Sequence, residues 1–277
     1  MILSSNTKCK IIIFSDIHYA AEKPIHNGSI IDRKLTHLAL PLTKKLINTI
    51  NEIKPDIVIN LGDLIEDSGN HDIDIIDLKF IWNLLKDIKA PFYSLIGNHE
   101  LRSMSCRKEI EEIMGYENAT FSINFKGYHF VFLAPEVNNQ IGTEMGGILR
   151  TQYLTPQDLE WLKNDLQNNH LPCIIFSHFG LAEDDMIGNY WFEKHSANAF
   201  WANRFEIKQI LNTNKNLLAV FSGHQHWTKD ITEDNINYHL IGSLAEDIHN
   251  NGTPDGIYLE IDLENNKMHI TKHNLKL

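Results

Sequence analysis

Cysteine is scarce in this chain. Cys9, Cys106 and Cys173 are the three among 277 residues, and no two stand in a Cys-x-x-Cys spacing. That excludes a disulfide-framed scaffold and a zinc–thiolate site, and it suits a reducing compartment. Long apolar runs are missing as well: none approaches the roughly 20 residues that a helix needs to cross a bilayer. The start, Met1-Ile2-Leu3-Ser4-Ser5-Asn6, has no charged segment leading into an apolar stretch. No secretory signal is therefore expected, and the expected location is cytoplasmic, off the membrane. Positive charge is the third shortage. With 25 Lys and Arg against 36 Asp and Glu, the net charge is −11. A chain this acidic has no long-range attraction for a nucleic-acid backbone, so no nucleic-acid surface is expected. The acid surplus suits a protein that supplies carboxylates to divalent cations, although most of it is accounted for by solvated helix faces. No composition break, linker or repeat divides the chain, and a single domain over residues 1–277 is expected. The oligomeric state leaves no mark in the sequence.

What is present is an ordinary globular composition, 43% hydrophobic and 22% charged, in a length ample for a substantial core. β-Branched runs near residues 10–15, 56–61 and 92–96 read as buried strands. Between them, apolar residues at helical spacing predict helices near 35–53 (Leu42, Leu46, Ile50) and 73–88 (Ile76, Phe80, Leu84). Pro41 should kink or restart the first. Strands alternating with crossover-length helices predict an α/β fold with a parallel sheet. Runs near 120–125 and 128–133, split by Lys126-Gly127, predict a hairpin. A short helix is expected near 106–114, another from Thr155-Pro156 onward, and a third near 204–211. Further strands are expected near 172–176, 217–221, 238–241, 257–261 and 268–272. Two long stretches, 19–34 and 135–153, read as loops, the first lying over the site. Within it, Asp32, Arg33 and Lys34 either touch a phosphate or form the charged first turn of the helix that follows.

The informative residues stand where apolar runs stop. One run ends in Gly97-Asn98-His99-Glu100, and another in Asp16-Ile17-His18. Gly62-Asp63, Ser177-His178 and Gly223-His224-Gln225-His226 end three more. Open α/β sheets bind ligands beyond the carboxyl ends of their strands. Each block alone is weak. Gly-Asn is an ordinary turn, Asp63 alone suits a helix cap, and an Asp-x-His triplet recurs at Asp247-Ile248-His249 with no strand before it. Together they gather Asp16, His18, Asp63, Asn98, His99, His178, His224 and His226 at strand ends. Alternation along an extended segment would point Asp16 and His18 the same way. Carboxylate, imidazole and amide oxygen without thiolate make a mixed donor set for Mn, Fe, Zn or Co. Even with His99 set aside, this is too many donors for one ion with open positions, and about right for two divalent metal ions sharing a carboxylate.

In this order the blocks resemble the calcineurin-like metallophosphoesterase superfamily. The resemblance implies a four-layer α-β-β-α sandwich with a dimetal site at the strand carboxyl ends. It implies that Asp16, His18 and His226 hold one ion and that Asn98, His178 and His224 hold the other, with Asp63 bridging. It further implies a phosphoester hydrolase. Two cations about 4 Å apart lower the pKa of a bridging water, giving hydroxide for in-line attack on phosphorus, and they stabilise charge on the equatorial oxygens. His99 is then free to protonate the leaving oxygen. In related phosphatases an acidic residue three positions after the bridging Asp orients that His, and Glu66 holds this position here.

Departures from relatives narrow the substrate. Protein Ser/Thr phosphatases carry Arg where Asp67 and Ile96 stand, so their monoester clamp is absent. Purple acid phosphatases place a Tyr ligand where Glu66 stands. The stretch from Gln152 to Leu162 and the Gly-Asn-His-Glu block are similar to the phosphodiesterase and nucleoside-diphosphate-type branches. The expected substrate is a small phosphodiester or diphosphate of nucleotide type, such as a cyclic nucleotide or an ADP-ribose-like molecule. Arg33, Tyr190, Trp191 and Trp201 are its expected contacts, although the aromatic stretch 190–201 is equally suited to capping the core. A phosphomonoesterase of the same superfamily and a non-catalytic protein-binding scaffold are the alternatives.

Overall fold

The computed structural model describes residues 8–22, 25–26, 29–30, 33–104, 106–138, 143–144, 147–148, 151–249 and 251–277. The run Ile11-Ile12-Ile13 in Lys8–Phe14 (β1) is buried on both faces, which only a central strand allows. Ile57–Asn60 (β2) and Phe92–Ser94 (β3) continue from it in parallel. Six more strands follow: Phe121–Phe125 (β4), Tyr128–Leu133 (β5), Cys173–Ser177 (β6), Leu217–Ser222 (β7), Lys229–Glu233 (β8) and Ile236–Leu240 (β9). Ile257–Glu264 (β10) and Lys267–Asn274 (β11) close the chain.

One sheet runs β11-β10-β1-β2-β3 and the other β8-β9-β7-β6-β5-β4. Both are mixed rather than purely parallel. The strands that carry the chemistry are parallel at the centre, and antiparallel hairpins finish the edges. Asp234-Asn235 and Asn265-Asn266, all at positive φ, supply two of those hairpin tips.

The inner faces of the sheets pack on each other through Ile11, Ile13, Ile59, Phe130, Phe176 and Phe221. Thr36–Ile53 (α1), His71–Leu85 (α2), Asn98–Ser103 (α3) and Arg107–Met114 (α4) cover the outer face of the first sheet. Pro156–Asn168 (α5) and Arg204–Leu211 (α6) cover that of the second. The result is the expected α-β-β-α layering. Helix α1 passes Pro41 without restarting, and it ends at Lys54, left-handed with φ 55. Helix α2 begins earlier than its apolar spacing suggested, because the Asn70 side chain accepts from the N–H groups of Asp72 and Ile73. Strand β8 was not expected; it is a polar edge with no apolar run to announce it. In the long stretches, Ile25–His26 pairs with Ser29–Ile30 and Glu136–Asn138 with Thr151–Tyr153. Asp32 lies outside the described residues.

Candidate metal centre

The two sheets each bring part of a cluster to their shared carboxyl edge. Asp16 and His18 follow β1, Asp63 follows β2, and Asn98 and His99 open α3 just after β3. His178 follows β6, while His224 and His226 follow β7. Strand alternation is not what aims them. Asp16 (φ 56), His18 (φ 51), Asp63 (φ 54), His224 (φ 65) and His226 (φ 50) all sit in left-handed turns. Such conformations cost roughly 1–2 kcal/mol each outside glycine, and they persist where the surroundings enforce them. Backbone bonds do so here: Asp16 N donates to Gly62 O (3.0 Å), His18 N to Asp63 O (3.1 Å) and Gly223 N to His178 O (3.0 Å). His224 N donates to Asp16 Oδ2 at 3.1 Å, tying one sheet to the other. Gly62 is required twice over. Its φ is +107, and a Cβ there would stand 2.7 Å from His178 Nδ1.

Donor atoms of Asp16, His18, Asp63 and His226 lie within 4.8 Å of one another, as do those of Asp63, His178 and His224. Asp63 belongs to both groups. Its Oδ2 is buried without a hydrogen-bond partner among the described residues, 3.3 Å from His178 Nε2 and 4.0 Å from His18 Nε2. Asn98 Oδ1 is 3.2 Å from His178 Nε2, and Asp16 Oδ1 is 3.1 Å from His226 Nε2.

The imidazoles are anchored from behind. His178 Nδ1–H donates to Leu61 O (2.7 Å), His224 Nε2–H to Asn198 O (2.9 Å) and His226 Nδ1–H to Glu246. His18 Nδ1 lies 2.8 Å from Glu66 Oε2. At His178, His224 and His226 these partners fix which ring nitrogen is held from behind, so that the other turns its lone pair, once unprotonated, to the cluster, as metal-ligating histidines require. The orphan Asp63 oxygen, the aimed lone pairs and the thiolate-free donor set fit two divalent cations.

Electrostatics point the same way. Burial would raise the carboxyl of Asp63, but His178, His99 and His18 hold it well below the usual range. Burial would likewise lower His178 and His226. Asp63 nevertheless pushes the first up to about 9, and Glu246 with Asp16 pushes the second up to about 10. The site attracts positive charge, and a cation competes with those protons.

His99 donates its backbone N–H to Asp63 Oδ1 at 2.9 Å. Its Nδ1 is 2.5 Å from Asp67 Oδ1 and 3.4 Å from Glu66 Oε2. The orienting carboxylate is therefore Asp67, itself held by Arg102 Nη1 at 2.9 Å, and not the expected Glu66. Glu66 is drawn instead to His18 and to Lys34, whose ammonium lies 2.8 Å away. Lys34 forms no helical first turn. It bridges to Glu246 ahead of α1 and is buried in the site.

The expected substrate contacts divide. Trp191 donates its indole N–H to Glu246 Oε1 (2.8 Å), and its ring centroid is 6.0 Å from that of His226. Tyr190 is 64% exposed and stacks under the Arg33 guanidinium, whose Nε lies 3.1 Å from Glu246 Oε1. Arg33 is thus engaged by the protein. Trp201 is 2% exposed, donates to Ser177 Oγ at 2.7 Å and packs on Phe179, which makes it a core residue and not a contact. Sequence reading also missed Glu246. The signal was available: it follows the strand expected near 238–241, at one more strand end.

A family model for calcineurin-like phosphoesterases matches residues 9–228. The chain belongs to that family. It is 24% identical over 226 residues to a probable cyclic nucleotide phosphodiesterase of Psychrobacter sp. (strain PRwf-1). The match covers 76% of this chain and 55% of that protein, so this phosphoesterase spans about half the length of the curated relative. A dimetal phosphatase from Danio rerio shares the fold with a TM-score of 0.73 at 14% identity, over 96% of each chain. GAP50, the anchor in the inner membrane complex of Plasmodium, shares it at a TM-score of 0.58 and 11% identity, over 98% of this chain and 89% of that one. No helix among the described residues of the phosphoesterase is long and apolar enough to cross a membrane.

Proposed function

We propose that this phosphoesterase hydrolyses a small phosphodiester or diphosphate of nucleotide type. The observation that carries the reading is Asp63 Oδ2, buried without a hydrogen-bond partner between two groups of donors that share it. In this reading Asp16, His18 and His226 hold one divalent cation, of the Mn, Fe, Zn or Co class, and Asn98, His178 and His224 hold the other. Asp63 serves both. When bound, the cations supply Lewis acidity and an activated water.

The chain's own residues do the rest. His99, pinned by Asp67 at Nδ1 and by its backbone N–H on Asp63, keeps Nε2 3.9 Å from Asp63 Oδ2, where a leaving oxygen departs. Trp191, fixed through its N–H by Glu246, offers with Tyr190 an aromatic wall beside His226 on which a base can stack. Arg33 is engaged by Glu246 and Arg102 by Asp67. Both guanidiniums thus lie against carboxylates of the chain rather than free for a dianionic monoester, and this favours a diester or diphosphate. The name of the Psychrobacter relative leans the same way.

Metal-loaded protein assayed on bis-p-nitrophenyl phosphate, cyclic AMP and ADP-ribose should turn over at least one of them. Activity confined to monoesters would overturn the substrate class. Fewer than one bound ion per chain at saturating manganese would overturn the catalytic reading altogether.

A further inference from the structure

A third group of donors lies beside the first two: His18, Glu66 and His99 could also hold an ion. That position already contains a cation of the chain's own. Lys34 Nζ lies 2.8 Å from Glu66 Oε2 and 2.9 Å from His99 Nε2. It also stands 5.3 Å above the Trp191 ring, and the residue is 6% exposed. We propose that the Lys34 ammonium is a catalytic cation of this phosphoesterase that meets the leaving oxygen of the substrate beside His99. The proposal rests on the reading above in placing that oxygen at His99.

A counter-ion for Glu66 would be satisfied by contact with Glu66 alone. Lys34 does more. An ammonium can only donate, so the 2.9 Å contact makes His99 Nε2 the acceptor, while Nδ1 on the far edge lies beside Asp67 Oδ1 and Arg102 Nη1. The edge of His99 that faces the leaving group thus already carries an N–H donor with a full positive charge. An ammonium has three N–H bonds, and the described residues take two of them as hydrogen bonds. The third meets no hydrogen-bond acceptor among the described residues, and in this proposal it meets the ligand. Hydrolysis forms a bond from a water oxygen to phosphorus and breaks the bond to the leaving oxygen, which keeps the electron pair and ends with the proton that the water gives up. A fixed cation at that oxygen stabilises the charge as it develops. It acts as a point charge on one oxygen, and so it differs from a bidentate arginine clamp, whose expected positions hold Asp67 and Ile96 here.

The test compares the manganese-loaded full chain with its Lys34→Met and Lys34→Arg variants. Two phosphodiesters of unequal leaving group are used, cyclic AMP (an alkoxide) and bis-p-nitrophenyl phosphate (a stabilised phenolate). Lys34→Met should lower kcat about 100-fold on cyclic AMP and less than about 10-fold on the phenolate ester. Bound manganese should be unchanged, and Lys34→Arg should recover part of the loss. An equal loss on both esters, or a lower melting temperature with kcat intact, would reduce Lys34 to a partner of Glu66. Calorimetric titration of inorganic phosphate gives a readout without turnover. Lys34→Met should weaken phosphate at least about fivefold, by removing one charge-assisted contact, and unaltered affinity would overturn the proposal. If the wild type cleaves only monoesters, the substrate reading fails, while p-nitrophenyl phosphate kinetics and the phosphate titration still decide Lys34. Lys34→Gln serves the same titration should the methionine variant not fold.

Discussion

Glu100 is fully buried, and its two oxygens gather four backbone N–H groups around the centre. Oε1 accepts from Leu64 (2.6 Å) and Ile65 (3.2 Å), and Oε2 from Gly97 (2.7 Å) and Asp63 (3.2 Å). Burial and the neighbouring Asp63 push its carboxyl up to about 7. The four donors favour the ionised form, the only one that meets every N–H with an acceptor. Glu100→Gln would turn an NH2 group against two of those donors. It should cost about 1–3 kcal/mol in denaturant unfolding and weaken metal binding, because the turn that aims Asp63 loosens. The imidazoles make a second prediction. His178, raised to about 9, and His226, raised to about 10, are protonated in the metal-free protein below those values. A cation has to displace these protons, so metal affinity should rise with pH toward the 9–10 window and fall on acidification. Titration between pH 6 and 9 in buffers of different ionisation enthalpy would show the proton release. At this scale the sequence was informative about which residues gather and poor about who partners whom. The expected donors do converge, since each follows a strand in a parallel ladder. Asp67 displaced Glu66 at His99 because Lys34, 65 positions away from His99, claims Glu66. No local pattern encodes that contact.

The elements position the centre through close approaches between loops. Gly97 precedes α3 and lies so near Asp63 that an added Cβ would collide with Oδ1 and stand 2.5 Å from the Asp63 backbone nitrogen. Its φ of −101 is unstrained, so Gly97→Ala should leave the fold standing. Pushing Asp63 aside should then cost activity of about 10²-fold while circular dichroism is unchanged, read by kcat alongside bound metal. Strands and long helices were legible because their apolar spacing is set by burial on the sheet faces. Three features were not. Strand β8 is a polar edge that relies on pairing with β9. The left-handed turns at Asp16 and His18 replace the extended geometry that alternation implied. Trp201 went inward because its N–H found Ser177.

Across the whole molecule, four expected donors come from the first sheet and three from the second, so a bound cation would join the two. Chelation should therefore act on global stability. A cation at about 100 times its Kd adds roughly 2.7 kcal/mol to the folded state. Treatment with a chelator should lower the melting temperature by several degrees, and manganese should restore it. No shift on chelation would mean that the donors are not occupied in solution.

The strand order carries one more consequence. The family match stops at residue 228, after every expected metal donor, yet β10 and β11 return from the far end of the chain to pair along β1. A chain stopped at 228 would keep every expected metal donor, but it would lose Glu246, which holds His226 and Trp191, and the neighbour of Lys8–Phe14. The backbone of Ile11-Ile12-Ile13 would then present open N–H and C=O groups on a flat apolar ribbon, a template for another copy to add to. Such a chain should sediment as aggregate where the full chain stays in the supernatant. The last fifty residues hold none of the donors; by this reckoning they keep the molecule from sticking to itself.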